Sequence, residues 1–139
     1  MVSLDRILCP TDFSATADKA MAQAVALAQH FNGRVKLFHA VAPIPYSSPV
    51  AEVQTDTSFF QMMLDQGARD LAAAASRAGT SGVPIETELR GGSVVAGILA
   101  AAKEYDADLI ALGTHGRGGF DHVLLGSVAE KVLRKASCP

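Results

Sequence analysis

The sequence predicts an α/β domain, an open parallel sheet with helices on both faces. Short apolar segments rich in β-formers alternate four times with segments of helical spacing along 139 residues, which argues for right-handed crossovers covering both sides of one sheet. A glycine-rich stretch from Gly113 to Ser127 follows the last apolar run and precedes a helix, at the carboxyl end of a strand where such sheets hold ligands. The length suits one domain over residues 1–139 that buries its core without disulfides or metal.

Ile7-Leu-Cys9 reads as a buried first strand stopped by Pro10, and Thr11-Asp-Phe-Ser14 as a turn whose serine can cap the next helix. That helix runs from about Ala15 to Phe31, with Ala20, Met21, Ala24, Val25, Ala28 and Phe31 on one face and Asn32-Gly33 as a left-handed stop. Val35 to Val41 is a second strand, ended by Ala42-Pro43. The connection from Pro43 to about Thr57 holds three prolines and is expected to be mobile.

A second helix spans roughly Ser58 to Ala78, with Phe59 or Phe60, Met63, Gly67, Leu71, Ala74 and Ala78 inward. Met21, Met62 and Met63 are assigned to the core. Pro84 to Arg90 alternates Ile85, Thr87 and Leu89 with Glu86, Glu88 and Arg90, the period of an outer strand with one solvated side. A third helix covers about Val94 to Tyr105, Asp106-Ala-Asp108 turns the chain, and Leu109 to Leu112 is a fourth strand. The first and fourth strands are the most apolar and are expected to be central.

The net charge of −2 provides no basic field for nucleic acid. No segment approaches the ~20 apolar residues of a membrane span, and the first residues lack a signal-type apolar stretch. Cys9 and Cys138 fit neither a disulfide framework nor a metal site. A soluble, cytoplasmic protein with no nucleic-acid or membrane partner is expected.

Glycines admit close approach of backbone amides to an anion, and a helix N-terminus adds unpaired N–H groups with partial positive charge. Gly113-Thr-His-Gly116, nine residues, then Gly126-Ser127 therefore form a candidate phosphate cradle. It is neither a Walker A, since no Gly-Lys-Ser/Thr closes it, nor a dinucleotide fingerprint, since no third glycine stands at the required offset.

Three segments carry a resemblance: Arg6-Ile-Leu-Cys-Pro-Thr-Asp-Phe-Ser14, Ala107-Asp-Leu-Ile-Ala-Leu-Gly-Thr-His-Gly116 and Leu124-Leu-Gly-Ser-Val-Ala-Glu-Lys-Val132. Together they resemble the universal stress protein family over essentially the whole chain, and the spacing G-x2-G-x9-G-S/T is the mark of its ATP-binding group. The resemblance implies a three-layer α/β/α domain with four helices and strand order 3-2-1-4. Members usually continue after a Ser/Cys-Pro step into a fifth strand beside the fourth, whereas this sequence ends at Ser137-Cys-Pro139. The fifth strand is expected but missing from this chain, which leaves the fourth strand an edge to be covered, and a homodimer is the expected assembly.

Carried over by position, the resemblance implies that Gly113, Gly116, Gly126, Ser127 and Val128 line phosphates and ribose, with Thr114, His115 and Arg117 beside them. Asp12 and the backbone of Val41 would hold adenine, walled by Pro10, Thr11 and Ala40. The implied ligand is ATP, or ADP or AMP, with Mg²⁺ as a passenger on the phosphates.

Each residue also has a plainer reading. Ser127-Val-Ala-Glu130 matches a capping box. Asp12 can order its turn or cap the first helix, and His39 reads as a satisfied core or edge histidine rather than a ligand. His115, Asp121 and His122 share no metal-ligand spacing.

Three functions stay open. The first is a stress-response regulator acting through nucleotide occupancy and partner contacts, the second a nucleotide-independent dimerisation scaffold. The third is an enzyme, at most a slow ATP hydrolase working through Asp12 or His115, since no positioned base or histidine pair is evident. No catalytic residue and no metal ligand is assigned.

Overall fold

Alternation of side chains along one short strand sets the layering. The computed structural model describes residues 3–43, 57–114 and 125–139. Its elements are β1 (Arg6–Pro10), α1 (Ala15–Phe31), β2 (Arg34–Val41), α2 (Thr57–Gly79), β3 (Ile85–Gly91), α3 (Val94–Tyr105), β4 (Leu109–Ile110) and α4 (Ser127–Lys135). Along β1, Ile7 and Cys9 enter one core with Met21, Ala24 and Ala28 of α1 and Leu71, Ala74 and Ala78 of α2. Leu8, between them, enters the opposite core with Phe38, Ile98 and Ala101 of α3 and Val132 of α4. A strand exposes successive residues to opposite faces, and since both faces here are apolar, helices cover both.

The sheet has the order β3-β2-β1-β4, and β1 pairs in parallel with β2 on one side and β4 on the other. The winding therefore reverses between β1 and β4, and the β1–α1 turn and the segment after β4 lie beside that crevice. Small residues on α1 and α2 let these helices sit close to the sheet: Ala24 and Ala74 are essentially unexposed.

Local chemistry sets the helix ends. Ser14 Oγ accepts the Ala17 amide at 3.2 Å to start α1, and Asn32 ends it at φ 55°. Ser93 caps α3 through the Ala96 amide. One carboxylate clamps the edge of the sheet near the chain start: Asp108 Oδ2 accepts the amides of Asp5 and Arg6, each at 2.9 Å.

Several expectations need correction. The order is the 3-2-1-4 that the resemblance implies, so β4 lies at the end of the described sheet rather than at its centre as its apolar residues suggested, and it is two residues long rather than four. Pairing with β1 nonetheless continues through the Ala111 amide to the Leu8 carbonyl at 2.9 Å. On its outer side the Ile110 amide donates to the Pro139 carbonyl at 2.9 Å.

Met62 is 65% exposed and Phe31 36%, so neither is core. Each lies off the face that α2 or α1 turns to the sheet. On β3, the outer strand as expected, Thr87 is exposed, while Ile85 and Leu89 on the same face pack against the core. The opposite face is not simply solvated. Lys36 of β2 lies within 3.4 Å of Glu88 and 3.8 Å of Glu86 and over the Tyr105 ring at 4.6 Å, while Arg90 bridges Glu88 and Glu104 of α3. The proline-bearing connection, residues 44–56, lies outside the described residues.

Two glycines give a paired prediction. A Cβ on Gly33 would stand 2.3 Å from the Leu4 carbonyl oxygen and 3.0 Å from that of Asp5, whereas a Cβ on Gly79 meets nothing within 4 Å. Gly33→Ala is expected to destabilise by about 1–3 kcal/mol because the obstacle is backbone. Gly79→Ala is expected to be neutral or stabilising by up to about 1 kcal/mol. Urea denaturation midpoints check both.

Candidate functional site

The carboxyl end of β1 runs into a turn tied by its own side chains. The Thr11 amide donates to the Phe38 carbonyl at 2.8 Å, which extends the ladder with β2 one residue past the strand. Thr11 Oγ1 then accepts the Phe13 amide and Asp12 Oδ1 the Ser14 amide, both at 3.0 Å. Ser14 Oγ reaches Thr16 Oγ1 at 3.1 Å as well as the Ala17 amide. Phe13 adopts φ 64°, a left-handed conformation costly for a bulky side chain. The turn-ordering role of Asp12 is thus realised, and the residue is half-buried.

Beside it, β2 ends at Ala40 and Val41. The Val41 carbonyl accepts the Gly92 amide at 2.9 Å; a carbonyl oxygen has a second lone pair, so a further donor can still be received. Pro10 and Thr11 are buried.

From the other side, the end of β4 comes against the start of α1. A Cβ on Gly113 would lie 3.1 Å from the Thr16 carbonyl carbon and 3.2 Å from the Ala17 nitrogen and the Thr16 oxygen. Gly113 is therefore a point of backbone-to-backbone contact between the glycine segment and the first turn of α1, a role that sequence reasoning did not give it. The Gly126 amide donates to the Thr114 carbonyl, which brings the residues before and after positions 115–124 together. His115, Gly116, Arg117, Asp121 and His122 lie outside the described residues.

The start of α4 differs from the starts of α1 and α3. Gly126 is the N-cap and makes no side-chain cap bond, while its carbonyl accepts the Glu130 amide at 2.9 Å. Ser127 is the first helical residue rather than the cap, so the capping box read from Ser127 and Glu130 is not formed. The helix begins one residue earlier than that motif requires, and the serine hydroxyl is displaced from the capping position. The amides of Ser127, Val128 and Ala129 have no backbone acceptor among the described residues. Ser127 is exposed and Val128 half-buried. Such a terminus offers N–H groups and partial positive charge to an anion.

Comparison with known proteins agrees with this architecture. The model of the universal stress protein family matches residues 3–139. This chain belongs to the universal stress protein family. It is similar to a universal stress protein of Methanocaldococcus jannaschii, 33% identical over 134 residues, which cover 96% of this chain and 78% of that one. Among solved structures it resembles the universal stress protein UspA of Lactobacillus plantarum, with a TM-score of 0.85 and 25% identity over 99% of this chain and 96% of that one. It also resembles a universal stress protein in complex with cAMP, with a TM-score of 0.70 and 26% identity over 96% and 92% of the two chains.

In this universal stress protein the residues that hold the turn extend beyond the motif. His39 Nδ1 lies 2.8 Å from the Thr11 carbonyl, and its ring packs on Phe13 with centroids 4.5 Å apart. The reading of His39 as a satisfied histidine holds, but its acceptor in the β1–α1 turn carried no sequence signal.

Cys9 directly precedes Pro10 yet offers no nucleophile, since burial pushes its thiol up to about 12 from 9.0. Below pH 9 the thiol is protonated in both folded and unfolded chains, so its contribution to stability is fully present there. Between pH 9 and about 12 only the unfolded chain ionises, and the contribution is lost at about 1.4 kcal/mol per pH unit. Denaturation of wild type and Cys9→Ala across this window checks it: the wild-type stability is expected to fall more steeply with rising pH.

Proposed function

We propose that this universal stress protein is an adenine-nucleotide-binding regulator of the ATP-binding group, in which occupancy of the crevice between β1 and β4 governs shape or partner choice. The observation that carries the reading is the start of α4. Among the described residues no side chain caps its three first amides, at the end of a glycine segment whose Gly113 lies against the first turn of α1, next to the Asp12 turn. The two serine-capped helices of the same chain lack this opening. The cAMP complex of a related universal stress protein supports an adenine nucleotide as the ligand.

In this reading the amides of Ser127 and Val128, with the Ser127 hydroxyl, receive phosphate oxygens, and Gly116 and Arg117 complete the cradle. Gly113 and Thr114 anchor its first limb and Gly126 its second, with His115 beside the phosphates. The Val41 backbone and Asp12 hold adenine against Pro10, Thr11 and Ala40. ATP, ADP and AMP are candidate ligands, and Mg²⁺ enters only with the phosphates, keeping most of its waters. Asp12 already receives the Ser14 amide, which favours a positioning role over that of a general base. Binding rather than turnover is therefore the proposed activity.

Ser127→Glu separates phosphate binding from helix capping. A carboxylate in the first turn complements the helix dipole and is expected to leave stability unchanged or raise it by about 0.3–1 kcal/mol. The same charge repels phosphate, so ATP affinity measured by calorimetry is expected to fall by at least about tenfold, equivalent to about 1.4 kcal/mol. Unchanged affinity contradicts the phosphate assignment.

A further inference from the structure

The β1–α1 turn holds a non-glycine residue at φ 64°, and such a conformation persists only where its surroundings enforce it. Most ties in the turn are local, within three residues of one another. Two ties come from β2: the Phe38 carbonyl accepts the Thr11 amide at 2.8 Å, and His39 Nδ1, the one side chain among them, meets the Thr11 carbonyl oxygen at 2.8 Å across a separation of 28 residues. A carbonyl oxygen only accepts, so Nδ1 carries the proton and donates. The bond fixes the peptide plane that joins Thr11 to Asp12.

The ring is also held from both sides. Phe13 packs on it at 4.5 Å with an interplanar angle of 49°. On the α2 side, a Cβ added at Gly67 would lie 3.1 Å from His39 Cδ2, so the glycine leaves just enough room for the imidazole. The ring thus fills the space between α2 and the left-handed residue that follows Asp12.

We infer that His39 is a positioning residue for the nucleotide site: wedged between Gly67 and Phe13, its imidazole donates to the Thr11 carbonyl and holds the Thr11–Phe13 turn in the conformation that presents Asp12. The inference rests on the nucleotide reading above. It adds that α2, through Gly67, sets the ring that sets the turn.

The test compares His39→Leu, which removes the donor, with His39→Asn, whose side-chain amide restores one near the position of Nδ1. Two readouts are used: ATP affinity by calorimetry, and backbone amide resonances of Asp12, Phe13 and Ser14 without nucleotide. His39→Leu is expected to bind ATP at least about tenfold more weakly and to shift those resonances, whereas His39→Asn recovers affinity to within about threefold of wild type and restores them. Wild-type affinity in a folded His39→Leu protein overturns the inference. So does a folded His39→Asn protein as weak as His39→Leu.

If wild-type protein binds no ATP, the nucleotide reading fails. The resonances then decide the positioning role alone, and unshifted turn signals in His39→Leu overturn it. Should His39→Leu not fold, Gly67→Ala presses on the ring from α2 and takes its place. A shift of the turn resonances with weaker ATP binding is expected, and their absence overturns the inference.

Discussion

β1 is five residues long, and three of them, Ile7, Leu8 and Cys9, are wholly excluded from solvent. It hydrogen-bonds to β2 and β4 and contributes side chains to the cores on both faces. A strand in that position cannot slip by one residue without exchanging the contents of two cores. Its register fixes where Pro10 ends and where the Thr11–Ser14 turn begins. Asp108, by holding the Asp5 and Arg6 amides, secures the other end of the same strand.

The site follows from that constraint. With β1 fixed, α1 starts at Ser14, and the Thr16–Ala17 backbone becomes the surface on which Gly113 rests. Thr114 then meets the Gly126 amide, and among the described residues no side chain caps the first amides of α4. The helices divide their labour accordingly. α1 and α3 satisfy their starts internally through serine oxygens, while α4 starts at a glycine N-cap that makes no side-chain cap bond. A glycine N-cap forgoes about a few tenths of a kcal/mol of helix stability relative to serine, a cost offset when an anion binds there.

Much of this was legible in the sequence because its signals are local and strong. Ser14 and Asn32 mark both ends of α1, Ser93 and Tyr105 bound α3, and the acid-rich alternation of Glu86 and Glu88 marks β3 as the outer strand. The glycine spacing and the Pro-Thr-Asp turn pointed to the two sides of the crevice. What stayed hidden depends on through-space geometry. Ser127 and Glu130 have the spacing of a capping box, but choosing Gly126 as the N-cap requires knowing that its amide goes to Thr114. His39 looks like any strand histidine until the Thr11 carbonyl is placed beside it. Met62 is apolar but shares a helix face with the exposed Gln66 and Arg69, so its side chain type alone misplaced it in the core. The Pro139 carbonyl on β4 lies outside any local pattern.

The central claim is that the crevice between β1 and β4 binds an adenine nucleotide. Mass spectrometry of the acid extract from protein purified without added ligand tests it most directly. The chain has no Trp and two Tyr, so an adenine chromophore also registers plainly in the ultraviolet spectrum. Release of ATP, ADP or AMP in amounts approaching one per chain is the expected result. An extract repeatedly free of nucleotide, together with no heat on addition of ATP, would contradict the account.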